Sequence, residues 1–326
     1  MSWTSVIKTI QEHKTFLVTT HIHPDADALA SQLAMALYLK GLGKKVHLIH
    51  AERVPARFDF IPGIRMIRVF KGGERLDYDA AVVLDCGDLD RMDKVKGLLQ
   101  KGKTIINIDH HLTNDFFGTI NYVESKASST AEVLFDLFKK TRFRLTKDIA
   151  ILLYLGIMTD TGSFRYDSTT AHTHEVVSEL MRFKFSVSDL YRKLYERIPL
   201  NDLKLLTKVI NRFERLYDGR VVCIEMRKKT MEQFSPEFDV RDKIFTFLRA
   251  IKGVEVIIIL TEQGPRMTRA NFRSQGDRVN VAELASFFKG GGHRKASGCV
   301  IPANLSEAKK QTLAQLEKKL SRPEAS

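Results

Sequence analysis

Four short segments of the 326-residue chain carry side chains that can hold a cation. His21, Asp25 and Asp27 stand close together, Asp85 follows an apolar run, Asp109, His110 and His111 follow another, and Asp160 sits between Thr159 and Thr161-Gly162. Carboxylates mixed with imidazoles, and no thiolates, suit a hard to borderline divalent ion such as Mn²⁺ better than a structural zinc. One ion takes three or four protein ligands, whereas His21, Asp25, Asp27, Asp85, His110 and Asp160 make six. Two ions are therefore expected, ~3.5 to 4 Å apart with a shared carboxylate, as in two-metal phosphoryl transfer. His23 is read as a non-ligand, and Asp25 stands where an N-cap of the following helix belongs, a role compatible with ligation.

These residues need elements that bring them together. The run from Thr15 is strand-like, Asp27 to Gly43 is helical and Lys45 to His50 is strand-like again, with further strand text at 79–84 and 103–108 and helical text at 92–100. Alternation of this kind implies a parallel α/β sheet, whose carboxyl edge gathers loops remote in sequence. Helices are expected at 128–140, opened by the Ser128-Ser129-Thr130 cluster, at 147–158 and at 170–183. Helical periodicity from 187 to 215, broken at Pro199, reads as a linker. Beyond it strands are expected at 220–226, 254–260 and 267–273, and helices at 240–250, 281–288 and 306–320. The division is thus 1–186, linker 187–215 and a smaller α/β domain at 216–326.

Composition narrows the class. The length exceeds what one core usually serves, and 44% hydrophobic with 28% charged residues describes a globular chain. Lys8, Glu12, His13 and Lys14 leave no apolar leader at the start, and the apolar runs 150–158 and 256–260 are too short to span a bilayer, so no membrane association is expected. Three cysteines far apart, Cys86, Cys223 and Cys299, argue against a disulfide framework and for a reducing cytoplasm. The net charge of +13 is uneven: residues 1–190 hold 25 basic and 23 acidic side chains, and 191–326 hold 27 and 16. A basic half beside a metal-ligand half suits a polyanionic substrate.

The HxxxDxD loop, the Asp85 strand end, the Asp-His-His triplet and the GIMTDTGSF segment resemble, in order and spacing, the four motifs of the DHH phosphoesterase superfamily. Gly290-Gly291-Gly292-His293 with Ala296-Ser297-Gly298 resembles the GGGH signature of the DHH-associated C-terminal domain. The likeness covers essentially the whole chain, and the two-domain layout without added modules resembles the nanoRNase/pAp phosphatase (NrnA-like) branch. That resemblance implies a parallel-sheet DHH domain and a smaller α/β substrate domain. It implies two Mn²⁺ ions on His21, Asp25, Asp27, Asp85, His110 and Asp160, with Asp85 bridging. It also implies that His111 faces the substrate phosphate beside an orienting Asp109, and that Arg273, Ser274, Gly291, Gly292 and His293 bind the nucleotide.

The activity implied is hydrolysis of short oligoribonucleotides and of 3'-phosphoadenosine 5'-phosphate by a metal-activated hydroxide. Consecutive glycines would let backbone N–H groups of a turn approach a phosphate, and Arg273 would offer a bidentate fork. The same metal centre also serves cyclic or linear dinucleotide phosphodiesterases, which stay open as an alternative. A nucleic-acid-binding regulator fits less well, because convergent carboxylates repel phosphate unless a cation fills them. The oligomeric state, a homodimer included, is left open.

Overall fold

Continuous apolar runs become strands buried on both faces, and the helices cover them. The computed structural model describes residues 2–320 other than 237 and 277, and divides into two units, Met1–Glu196 and Arg197–Ser326. The first contains α1 (Trp3–Glu12), β1 (Thr15–Thr19), α2 (Ala26–Gly41), β2 (Lys45–His50), β3 (Arg68–Val69), β4 (Ala80–Leu84), β5 (Thr104–Asp109), β6 (Ile120–Val123), α3 (Thr130–Lys140), α4 (Lys147–Asp160), α5 (Ala171–Met181) and α6 (Val187–Tyr195). Its sheet is wholly parallel in the order β3-β2-β1-β4-β5-β6. Phe16 and Val18 of β1 and Val82 of β4 enter one core with α2, α3 and α4, while Leu17 and Val83 enter another with Ile49 and Tyr78. Burial on both faces explains why these strands read as unbroken apolar text.

The strand order places a topological switch point between β1 and β4, where loops leaving the carboxyl ends diverge and leave a crevice. Three expectations for this unit need revision. The text at 92–100 is not an α-helix: Asp90–Leu98 forms 3-10 turns interrupted at Asp93, whose φ is 50°. Neither α1 nor β6 was anticipated, and they support each other, the Trp3 ring stacking on Tyr122 with centroids 3.4 Å apart. In the stretch 187–215 the unit boundary falls between two helices, because Leu190 of α6 packs in the first unit whereas Leu206 and Val209 pack in the second.

The second unit contains α7 (Leu200–Ile210), β7 (Glu214–Leu216), β8 (Val221–Met226), α8 (Lys228–Met231), α9 (Val240–Leu248), β9 (Val256–Gly264), β10 (Met267–Ser274), α10 (Val281–Phe287), β11 (Gly291–His293), β12 (Ala296–Ile301) and α11 (Leu305–Leu320). Its sheet runs β11-β12-β10-β9-β8-β7, with only β8 and β9 parallel. Side chains of α10 and α11 pack on one face, and those of α7 and α9 on the other. No helix among the described residues is long and apolar enough to cross a membrane.

The glycine run is not the turn expected of it. Gly291–His293 form a strand paired with Ala296–Gly298, and two of the glycines are required by that close pairing. A Cβ on Gly290 would lie 2.3 Å from the Gly298 carbonyl oxygen, and one on Gly292, whose φ is 134°, 2.5 Å from that of Ala296. Gly291 differs, since a Cβ there meets nothing within 4 Å. Gly290→Ala should therefore lower the melting temperature by several degrees, about 1–3 kcal/mol, whereas Gly291→Ala should shift it by less than about one degree. Differential scanning calorimetry on the two variants checks this; equal shifts would contradict the packing account.

Candidate active site

The two loops that flank the switch point carry the first donors. After β1 the chain turns through His21, whose Nδ1–H donates to the Ile22 carbonyl at 2.7 Å, so that Nε2 faces Asp85 Oδ2 at 3.5 Å. Asp25 caps α2, accepting from the Ala28 N–H at 3.0 Å, and its side chain is exposed on the open side of the group. Asp27, in the first turn of α2, is buried against α3 and α4. Asp85 follows β4 directly, and its backbone adopts a φ of 53°, a conformation that costs a non-glycine residue roughly 1–3 kcal/mol.

Asp109 ends β5 and is fully buried, accepting from Asn114 Nδ2 at 2.6 Å, the His110 N–H at 2.8 Å and His111 Nδ1 at 2.7 Å. His110 donates through Nδ1 to the Ala127 carbonyl at 3.3 Å, which directs Nε2 to Asp160 Oδ2 at 3.1 Å and Asp85 Oδ1 at 3.7 Å. Asp160 arrives from another direction, as the last residue of α4. The structure thus gathers all six expected ligands into two groups of potential donors, His21, Asp25 and Asp85, and Asp27, His110 and Asp160, each with its ligand atoms within 4.8 Å of one another. His111 reaches the same place through Asp85 Oδ1 at 3.7 Å.

The electrostatics match a cation. Burial, together with the charges of Asp85 and Asp160, pushes the Asp27 carboxyl well above the usual range. Burial acts against the charge of Asp85 too, but the hydrogen bond from His21 and the neighbouring His111 and His110 hold its carboxyl far below that range. His110 is held well above the ordinary imidazole value: burial opposes its charge, and Asp160, Asp85 and Asp27 outweigh that. Carboxylates this crowded draw positive charge to themselves, and oxygen with imidazole nitrogen at these spacings fits one or more divalent ions.

Two groups escaped the sequence reading. Ser129 caps α3 as expected, but Thr130 does more. Its N–H donates to Asp27 Oδ2 at 2.8 Å and its hydroxyl to Asp85 Oδ1 at 2.9 Å, while the Ala131 N–H reaches Asp27 Oδ1 at 3.1 Å. The first turn of α3 thereby meets a buried anion with N–H groups that have no partner inside the helix. Gly156, within the GIMTD text, is the second: a Cβ there would lie 2.3 Å from Asp27 Oδ1. The sequence signal for both was present, a small polar residue opening a helix and a glycine inside one.

Other candidates fall elsewhere. His23 turns to Glu52, with Nδ1 3.0 Å from Oε1. Arg273, Ser274 and the Gly291–His293 strand belong to the second unit. There the Arg273 guanidinium lies 4.6 Å over the Phe245 ring, while Ser274 is buried with its hydroxyl toward the Arg294 carbonyl.

Known proteins resemble this chain over most of its length. The model of the DHH family, N-terminal domain, matches residues 15–157, and that of the DHHA1 domain matches 228–322. The chain is 28% identical over 303 residues to the bifunctional oligoribonuclease and PAP phosphatase NrnA of Bacillus subtilis, covering 91% of this chain and 93% of that protein. It is 30% identical over 308 residues to the protein of the same name from Thermus thermophilus, covering 94% and 90% respectively. A crystal structure of an exopolyphosphatase-related protein from Bacteroides fragilis is similar at a TM-score of 0.88 and 26% identity, covering 98% of this chain and 97% of that one.

The bonds made by Thr130 give a test that does not depend on turnover. Thr130→Val keeps the N–H to Asp27 but removes the donor to Asp85, and should weaken Mn²⁺ binding about tenfold, whereas Thr130→Ser should stay within about threefold of the unmodified protein. Titration calorimetry reads both; equal affinity in the valine variant would contradict the assigned role.

Proposed function

The chain belongs to the DHH family, and from that premise we propose that it is a metal-dependent phosphoesterase that hydrolyses short oligoribonucleotides and 3'-phosphoadenosine 5'-phosphate. The observation that carries this reading is the convergence of six donor side chains from the β1, β4 and β5 loops and the end of α4 on one sheet edge. His21, Asp25 and Asp85 would hold one ion and Asp27, His110 and Asp160 a second, with Asp85 placed to serve both. The mixture of carboxylate and imidazole supports Mn²⁺. When bound, a pair of such ions supplies a water of lowered pKa and positive charge for the phosphoryl oxygens.

The chain's own groups do the rest. Asp109, anchored by Asn114, fixes the His111 ring. Asp109 and Asp85 also outweigh burial and raise the His111 pKa, which favours its protonated form. With Nδ1 engaged by Asp109, Nε2 is the nitrogen that would donate to a phosphate oxygen or to the departing oxygen. In the second unit Arg273, the Gly291 backbone and His293 would hold the remainder of the nucleotide, with Ser274 and Gly292 fixing the strands beneath them. The three thiols, buried and without disulfides, support a cytoplasmic setting.

Asp85→Ala should lower kcat by about a thousandfold or more, since on this reading one carboxylate would serve both ions. Asp88→Ala should stay within about threefold, because the Asp88 carboxylate accepts from the Arg91 N–H at 3.0 Å and belongs to neither donor group. Similar residual rates in the two would contradict the assignment of Asp85.

The substrate class is checked with Mn²⁺ and a panel of pAp, linear and cyclic dinucleotides, pyrophosphate and a ladder of 5'-labelled oligoribonucleotides. Single-turnover rates should fall steeply beyond about five nucleotides, because one small basic domain offers few phosphate contacts and few aromatic platforms. A flat or rising rate with length would overturn the short-substrate assignment, and preference for a cyclic dinucleotide would move the chain to that alternative.

A further inference from the structure

One strand of the second unit carries a buried side-chain acceptor, Asn271 Oδ1, with no hydrogen-bond partner among the described residues. Side chains alternate along β10: Thr268, Ala270, Phe272 and Ser274 are buried, while Arg269, Asn271 and Arg273 share the opposite face. On that face the apolar cluster built with α7 and α9 ends at Ile257 and Ile259 of β9. Beyond β10 stands β12, with Gly298 opposite Asn271 and Val300, 48% exposed, opposite Arg269. Small size matters at Gly298, where a Cβ would lie 3.1 Å from Asn271 Nδ2.

The groups there are unsatisfied in a consistent way. Asn271 Oδ1 is buried and has no hydrogen-bond partner among the described residues, and the same holds for Thr261 Oγ1 on the adjoining strand, whose residue pairs with Arg269. The Arg269 backbone pairs with Thr261 and Val300, but its guanidinium makes no hydrogen bond or ion pair among the described residues. Burial and the charge of nearby Arg241 depress its guanidinium pKa, and Asp239 offsets this only in part. Two half-buried guanidiniums near enough for the charge of one to act on the other, together with an amide whose acceptor is unused on the same strand face as Arg269, form a favourable environment for a phosphodiester and its ribose hydroxyl.

We infer that Arg269, Asn271 and Arg241 form a subsite for a further nucleotide of an oligoribonucleotide, beyond the one held at Arg273. The spacing decides which substrates use it. The backbone positions of Arg269 and Arg273 are four residue steps, about 13 Å, apart along the strand, a longer step than that between the two phosphates of one nucleotide. A substrate of one nucleotide seated at Arg273 does not reach Arg269, whereas a trinucleotide does. The subsite therefore distinguishes oligoribonucleotides from pAp, an inference that rests on the phosphoesterase reading above.

The test compares the full chain with Arg269→Ala, Arg269→Gln and Asn271→Ala, each checked for an unchanged melting temperature, in Mn²⁺ on pAp and on a triribonucleotide. In Arg269→Ala and Asn271→Ala, KM for the trinucleotide should rise about tenfold while that for pAp at most doubles. Loss of one cation should also reduce the salt slope for the trinucleotide by about 0.7. Should Arg269→Ala not fold, Arg269→Gln gives the same comparison. Equal rises for both substrates, or none for either, would overturn the inference alone. Failure of the unmodified chain to hydrolyse either substrate would overturn the phosphoesterase reading and the subsite with it.

Discussion

Asp27 and Asp85 are taken almost completely out of water close to one another. Two carboxylates so placed repel, and each loses hydration that few protein groups can replace. The surrounding structure is arranged around that cost. Thr130 bonds to both, the α3 N-terminus offers further donors to Asp27, and His21, His110 and His111 stand around Asp85. Gly156 leaves α4 without a side chain where Asp27 lies. A divalent ion would complete what these neutral and cationic groups begin.

The parallel sheet is what makes such crowding attainable. Its switch point brings the ends of β1 and β4 side by side, and β5 adds the Asp-His-His triplet on the next strand. Rigid strand ends locate Asp85 and Asp109 without relying on long loops, and α4 carries Asp160 in from its C-terminal end. The antiparallel hairpins of the second unit suit a different task. They lay arginines, an amide and bare glycine backbone along adjacent strands, groups that on the proposed function would recognise phosphate and ribose without doing chemistry.

Much of this was legible from residue order. The four acid and imidazole segments, the alternation that builds the parallel sheet and the helices at 128–140 and 147–158 are all local patterns. What stayed hidden depends on partners distant in sequence. Thr130 reads as part of a cap until Asp27 and Asp85 are beside it. The glycine run reads as a turn because nothing local reveals that Gly290 and Gly292 lie against β12. Strand β6 is short and half-buried, which leaves it no periodicity to announce itself, whereas α1 does carry apolar residues at helical spacing, Trp3, Val6 and Ile10, a local signal that the expectations starting at Thr15 passed over. The second unit is an α/β domain as its alternation implies, but strand direction is not legible from that alternation: the tight connection between β9 and β10 sets that pair antiparallel.

The central claim is that the buried acid and imidazole cluster is a two-metal centre. Its most direct test is anomalous diffraction at the manganese edge from crystals of the protein grown with Mn²⁺. Two adjacent peaks are expected, one among His21, Asp25 and Asp85 and one among Asp27, His110 and Asp160, with Asp85 in reach of both. A single peak, or Mn²⁺ bound only away from Asp27 and Asp85, would contradict the account.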